Sequence, residues 1–201
     1  LRVSETCRIR TKGLMKNALI FLLDTFAQLY LLLLLMRFWL PVLRANFTNP
    51  IAQGVLRFTS PTVTPVRLIV PSLGRIDTAT VLVAMIVQVL LNFLILLIER
   101  GGTAIGVFTG SLPQILVNAL LNLVSMSVTL FTVAILIRVI LSFLHRYFGP
   151  ITEMLNDMTE PLLRPIRRVI PPLGVIDLSA YIAMVLLIAL NMAIADFTLP
   201  Y

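Results

Sequence analysis

The side chains of this sequence that could do chemistry are few, and those that recur are cations and carboxylates at a fixed offset. Arg67 precedes Asp77, and Arg167 precedes Asp177 at the same spacing. Each pair sits in a proline-rich stretch, PTVTPVRLIVPSLGRID at 61–77 and PLLRPIRRVIPPLGVID at 161–177. The planar fork of arginine suits phosphate. A carboxylate directly before an apolar run suits the free N–H groups and positive end of a starting helix. The chemistry on offer is anion recognition and helix capping. Catalysis is poorly served, because no nucleophile with a base accompanies Asp77 or Asp177. The single cysteine, Cys7, and single histidine, His145, leave no partners for a disulfide, a Cys/His zinc or haem site, or a triad within the chain. His145 follows an apolar run beside Arg146 and reads as an interfacial histidine. No cofactor or metal is expected.

The two stretches are copies of one design. Laid together without a gap, they match Pro61 with Pro161, Pro65 with Pro165, Arg67 with Arg167 and Pro71 with Pro171. Leu73 matches Leu173, Gly74 matches Gly174, Ile76 matches Ile176 and Asp77 matches Asp177. These residues mostly dictate backbone shape and charge, whereas chance matching in an apolar chain would favour Leu and Val. Repetition of this kind fixes the architecture. The second copy alone carries Arg164 and Arg168, where the first has Thr64 and Leu68.

The elements that position these residues follow from composition. Of the 201 residues, 59% are hydrophobic and 12% charged, half of the roughly 25% charged in soluble domains. Lipid is the implied solvent. The net charge of +7 lies beside long apolar runs, so it reads as membrane topology and headgroup contact, with no nucleic acid partner. Fourteen of the sixteen basic residues are arginine. Four runs approach the roughly 20 residues that cross about 30 Å of hydrocarbon: 18–40, 78–98, 112–144 and 178–195. Residues 1–14 are expected to be a non-native or disordered extension ahead of Met15. The competing signal peptide would need a shorter apolar core and a small-residue cleavage site. Residues 15–100 form the first repeat, 101–111 a Gly/Thr linker and 112–201 the second repeat.

Within the spans, Asp24 is an intramembrane acid and a functional candidate by default. The shift that places Arg37 on Arg138 puts Ser125 at its position, so the acid is no part of the duplicated design. Gln88, Asn92 and Asn191 are amides expected to face other helices. Arg37 is expected to snorkel to the interface. In the first connection Asn49-Pro50 should cap a short helix that ends before Pro61. In the second, residues 151–160 should form a helix that stops before Pro161. Beyond it, Leu162, Leu163, Ile166, Val169 and Ile170 oppose Arg164, Arg167 and Arg168 at helical spacing. Two readings are open for that segment: a basic helix lying in the headgroup plane, or a loop docked through Glu153, Asp157 and Glu160.

Two spans per repeat return the chain to its starting side. The halves should therefore run parallel, about an axis along the membrane normal. The connections hold Arg44, Arg57, Arg67, Arg75, Arg146, Arg164, Arg167 and Arg168, against Lys16 and Arg100 on the other side from Met15 onward. The positive-inside rule makes the connections cytoplasmic. Counting residues 1–14 adds four basic residues to the opposite side.

The repeated P-x-x-x-P-[IV]-R-x-[IV]-[IV]-P-x-L-G-x-I-D signature resembles that of the YggT (YlmG) family of small integral membrane proteins, from about Met15 to the C-terminus. The resemblance implies a four-span protein of the bacterial inner membrane whose molecular function is poorly defined. Related plastid proteins are associated with cytochrome complex assembly and nucleoid organisation, and bacterial relatives with cell division or osmotic and ion stress. Two functions are weighed. One is a non-catalytic scaffold or assembly factor whose basic cytoplasmic face holds anionic lipid or a protein partner. The other is a small channel or transporter, which four helices with so few polar groups could form only as a homo-oligomer. The fold expected is all-α: four transmembrane helices as two parallel two-span repeats, with interfacial helices in the Pro/Arg-rich connections.

Overall fold

A computed structural model describes residues 2–70, 72, 76–143, 149–169 and 177–198. Pro71, Gly74, Pro171 and Gly174 of the repeat signature lie outside them, as do Arg75, His145 and Arg146. The described residues are helical: α1 (Arg2–Val42), α2 (Pro50–Ile69), α3 (Thr78–Arg100), α4 (Ala104–Gly110), α5 (Leu112–Phe143), α6 (Pro150–Val169) and α7 (Leu178–Asp196). Four segments are long and apolar enough to cross a membrane: Met15–Val42, Thr78–Gly110, Leu112–Ser142 and Leu178–Asp196. Large apolar side chains such as Phe21, Phe26, Tyr181 and Met192 stand exposed on these segments, which suits a hydrocarbon surround. The chain is a multi-pass membrane protein.

Each half packs its two spanning helices together. Helix α1 lies along α3 and α5 along α7, while α3 meets α5 between them. Leu31 and Leu34 of α1 join Val63 of α2, Ala79 and Val83 of α3, and Leu123 of α5 in one buried cluster. A second cluster joins Leu35 and Leu40 to Leu130, Met154 and Met158, so it draws on both halves. Ile135, Leu163, Ala180 and Ala183 form a third within the second half.

Both connection helices depart from expectation. Helix α2 runs unbroken through Pro61 and Pro65, and α6 through Pro161 and Pro165. A proline inside a helix loses an N–H donor and clashes with the carbonyl four residues back. Here all four rings lie on the exposed face, where displaced carbonyls can tilt outward toward polar surroundings. Hydroxyls of the same stretch bond other carbonyls of α2: Thr59 donates to Val55 O at 2.6 Å, Ser60 to Leu56 O at 2.6 Å and Thr62 to Thr59 O at 3.0 Å. The helices therefore continue where the prolines suggested stops. The Gly/Thr linker is helical too, a 3-10 turn at Gly101–Thr103 leading into α4, whose Phe108 meets Phe93 edge-on at 4.9 Å.

The two connections meet. The Asn49 side chain caps α2 by accepting from Ile51 N at 2.9 Å, and its Nδ2 donates to Pro150 O at 2.6 Å. The Asn46 N–H donates to Asp157 Oδ2 at 3.0 Å. Just before this, α1 ends with Ala45 N bonded to Leu40 O at 3.0 Å and Arg44 N to Pro41 O at 3.3 Å. That is the double bond pattern of a Schellman stop. Arg44 takes the left-handed position at φ 57°, where glycine is usual and another residue costs about 1 kcal/mol.

Candidate ion-pair clusters at the connection end

Each half builds one charged cluster from equivalent residues. In the first half, Arg37 comes from α1, Thr59, Ser60 and Arg67 from α2, and Asp77 from the start of α3. Arg37 Nη1 donates to Thr59 Oγ1 at 3.0 Å, to Ser60 Oγ at 3.3 Å and to Leu56 O at 3.4 Å. Its Nε lies 3.7 Å from Asp77 Oδ2, an ion pair too long for a hydrogen bond. The same Asp77 oxygen takes a short hydrogen bond from Arg67 Nη2. Arg37 and Asp77 are 5% and 4% exposed, so the snorkelling expected of Arg37 does not occur. Two hydroxyls, a carbonyl and a carboxylate within the fold replace the headgroup layer as its partners.

In the second half, Arg138 Nη1 donates to Thr159 Oγ1 at 2.7 Å, and Arg138 Nη2 to Glu160 Oε2 at 3.2 Å. Glu160 also receives Arg167 Nη1 at 3.2 Å, and Arg167 Nη2 reaches on to Asp177 Oδ2. The chain of charge is thus Arg138, Glu160, Arg167, Asp177. In the first half, Ser60 stands where Glu160 would, and Arg37 leans directly on Asp77.

The two aspartates divide accordingly. Asp177 caps α7, its Oδ1 accepting from Ser179 N at 3.2 Å and from the Ser179 hydroxyl. Asp77 holds the equivalent position, but its side chain makes no capping bond to α3. Ala79 replaces Ser179 there, which removes the hydroxyl donor, and the carboxylate is drawn to the arginines. Only the Asp77 backbone carbonyl serves the helix start, accepting from Thr80 N at 3.0 Å.

Burial opposes the charge of Asp177. The hydrogen bonds from Ser179 and Arg167, the Arg167 charge and the Ala180 N–H outweigh it and hold the carboxyl below its ordinary 3.8. A depressed folded-state value contributes stability that is fully present above the unfolded value and disappears as pH falls through the folded one. Thermal unfolding should therefore show wild type above Asp177→Asn at about pH 6, with the gap closing below about pH 4. A gap that persists unchanged at about pH 3 would contradict this assignment.

The other candidates are placed apart from these clusters. Arg164 and Arg168 are exposed on α6, and Arg44 and Arg57 are exposed in the first connection. None of the four has an ion-pair partner among the described residues. Asp24 is half-buried on α1 and accepts from Gln28 Nε2 at 2.7 Å. Asn191 on α7 accepts from the Ser125 hydroxyl and donates to Thr129 Oγ1 at 3.2 Å. Gln88 is buried on α3. Asn92 Nδ2 is buried without a hydrogen-bond partner among the described residues. The sequence reading missed Thr59, Ser60 and Thr159 as arginine partners, and named Glu160 only as an acid that could dock the Arg-rich segment. The repeat held a cue, since a threonine stands two residues before the first proline of both signatures.

The family description CCB3/YggT matches residues 16–98 and 117–198. A Vibrio alginolyticus protein, described as an uncharacterized protein in the proC 3' region, is 35% identical over 92% of this chain and 97% of its own length. The uncharacterized protein YggT of Escherichia coli strain K12 is 34% identical over 90% of both chains. The uncharacterized protein PA0392 of Pseudomonas aeruginosa is 36% identical, again over 90% of both. No solved structure matches the chain. With both matched segments containing one complete cluster, the chain belongs to the CCB3/YggT family.

Proposed function

We propose that this protein is a non-catalytic scaffold or assembly factor of the bacterial inner membrane, with both connections on the cytoplasmic side. Its two halves run parallel as repeats, and α2 and α6 lie in the headgroup plane. The hydrogen bonds joining α2 to Pro150 and the α1–α2 turn to Asp157 support a shared side for the connections. The eight arginines of the connections favour the cytoplasm.

The observation that carries the reading is a division of labour among arginines. Arg37, Arg67, Arg138 and Arg167 are bound into the fold. Arg44, Arg57, Arg164 and Arg168 are exposed and left for something outside the chain. Anionic headgroups or an acidic protein face suit them. Arg164→Glu combined with Arg168→Glu should abolish binding to anionic vesicles or recovery of the partner, while membrane insertion stays intact. Unchanged binding and recovery would sink the proposal. Labelling of a cysteine placed at position 164 from the periplasmic side alone would sink the orientation.

A second reading, a small oligomeric channel or transporter for osmotic or ion homeostasis, draws on one observation. Asp24 with Gln28, and Ser125 with Thr129 and Asn191, put polar groups at equivalent depths of α1 and α5, some of them exposed. Polar groups at membrane depth favour packing against another helix or a water-filled path. Ion flux in proteoliposomes that disappears on Asp24→Asn would favour this reading over the scaffold.

A further inference from the structure

The two clusters differ in charge. The second sets Arg138 and Arg167 against Glu160 and Asp177, two cations against two carboxylates. Among the described residues, the first sets Arg37 and Arg67 against Asp77 alone. The imbalance extends beyond the cluster. From Arg37 to Asp77 the sequence has five arginines and one acid, whereas from Arg138 to Asp177 it has five arginines and four acids. A cation that is nine-tenths buried requires compensation nearby, and the single carboxylate beside Arg37 is already held by Arg67.

The second half shows what form the missing compensation takes. The Glu160 carboxylate lies between Arg138 Nη2 and Arg167 Nη1, 3.2 Å from each. In the first half the corresponding residue is the half-buried Ser60. Arg37 Nη2 and Arg67 Nη1 have no hydrogen-bond partner there among the described residues. Arg37 Nε is buried and likewise lacks one. The Arg67 side chain is 49% exposed against 29% for Arg167, whereas Arg37 and Asp77 are more enclosed than Arg138 and Asp177, so this cluster is reached from outside through Arg67.

We infer that the first-half cluster is a binding site for one phosphate-bearing anion, whose oxygens take the place that the Glu160 carboxylate fills in the second half. Arg67 supplies the accessible donors, and Arg37 supplies the uncompensated charge behind it. Arg37 and Arg67 already converge on the Asp77 carboxylate, and guanidinium forks match the geometry of phosphate as well as that of carboxylate. Located where α2 approaches the start of a spanning helix, the site is within reach of a phospholipid headgroup; a free phosphate ion offers the same chemistry. The inference rests on the proposed basic face but assigns it a different locus, since Arg164 and Arg168 take no part.

The test uses the full chain purified in detergent. Native mass spectrometry with added phosphatidylglycerol, and thermal unfolding with inorganic phosphate at matched ionic strength, separate the two sources. Wild type should retain one phosphatidylglycerol against a phosphatidylcholine background. Ser60→Glu, which installs the second-half carboxylate, should weaken that binding about tenfold or more while leaving the unfolding midpoint unchanged or higher. Glu160→Ser should open an equivalent site and take up a second lipid, and it decides the matter if Ser60→Glu does not fold. Stabilisation by phosphate that Ser60→Glu removes, without lipid retention, assigns the site to the free ion. Lipid and phosphate binding that Ser60→Glu leaves at wild-type strength overturns the inference, as does a Glu160→Ser protein with no added lipid. If Ser60→Glu behaves as wild type while Arg164→Glu with Arg168→Glu loses vesicle binding, the site falls and the basic face stands. The converse result removes the exposed face and leaves the site.

Discussion

Asp77→Ala should lower the unfolding temperature of this protein far more than Asp177→Ala does, although the two aspartates occupy equivalent positions. The Asp77 side chain is 5% exposed and is, among the described residues, the sole carboxylate for Arg37 and Arg67. Its loss leaves Arg37 buried with only the Thr59 and Ser60 hydroxyls and the Leu56 carbonyl as partners. Removing one member of a buried pair costs about 3–5 kcal/mol, because the other charge stays desolvated. Asp177 is 31% exposed, and Glu160 remains beside Arg167 when it is gone. Solvent screening and that second carboxylate reduce its loss to about 1–2 kcal/mol. Trp39 provides the readout, since it lies two residues beyond Arg37 and meets Phe131 edge-on at 4.9 Å. Tryptophan fluorescence during heating in detergent should show the two variants well separated. Adding Arg37→Met to Asp77→Ala should recover part of the loss, because neither charge then remains buried. Equal shifts for the two single variants would mean that the first cluster is not held as described.

Arg167→Glu is expected to be the most damaging change in the second half. Arg167 donates to two carboxylates, Glu160 and Asp177, and the substitution turns that bridge into three carboxylates around one point. The partial exposure of all three positions moderates the repulsion, leaving an expected cost of about 2–3 kcal/mol. The signature of this mechanism is its pH dependence. The crowded carboxylates take up protons more readily in the folded state than in the unfolded one, so mild acid should restore stability to Arg167→Glu while it does nothing comparable for wild type. A deficit equal at about pH 7 and about pH 5 would argue for lost packing in place of charge. The result also bears on functional experiments. A variant that pairs Arg167→Glu with Arg168→Glu confounds folding with binding, whereas Arg164→Glu with Arg168→Glu changes only exposed arginines.

The spans were legible because hydropathy is a sum over many residues. The runs at 18–40, 78–98 and 178–195 fall inside Met15–Val42, Thr78–Gly110 and Leu178–Asp196, and the third run overlaps Leu112–Ser142. What the sequence did not disclose depends on single partners far along the chain. Arg37 looked like an interfacial cation because nothing within two turns of it is acidic. Its partners are Thr59, Ser60 and Asp77, which become neighbours only after α2 folds back across α1. Pro61 and Pro161 looked like stops because local propensity is read without knowing which face will be exposed. With their rings outward, the helices continue to Ile69 and Val169. Asp77 and Asp177 looked alike because the signature matches at both. The divergence lies outside the matched columns, at Ser60 against Glu160 and Ala79 against Ser179, where the first copy lacks an acid and a hydroxyl that the second has.

The bonds between the two connections impose an order of assembly on the newly made chain. Asn49 can cap α2 as soon as Ile51 is available, but its amide donor waits for Pro150, 101 residues later. The Asn46 N–H waits longer still, for Asp157. A first half that has just left the ribosome therefore presents an unfinished turn, and the second half completes it on arrival. Severed at Ser111, between α4 and α5, the two fragments would each retain a full set of spanning helices yet lack the other's contribution to that turn. Co-expression of the fragments should then rescue what neither sustains alone, as in a split protein whose halves mature only on meeting.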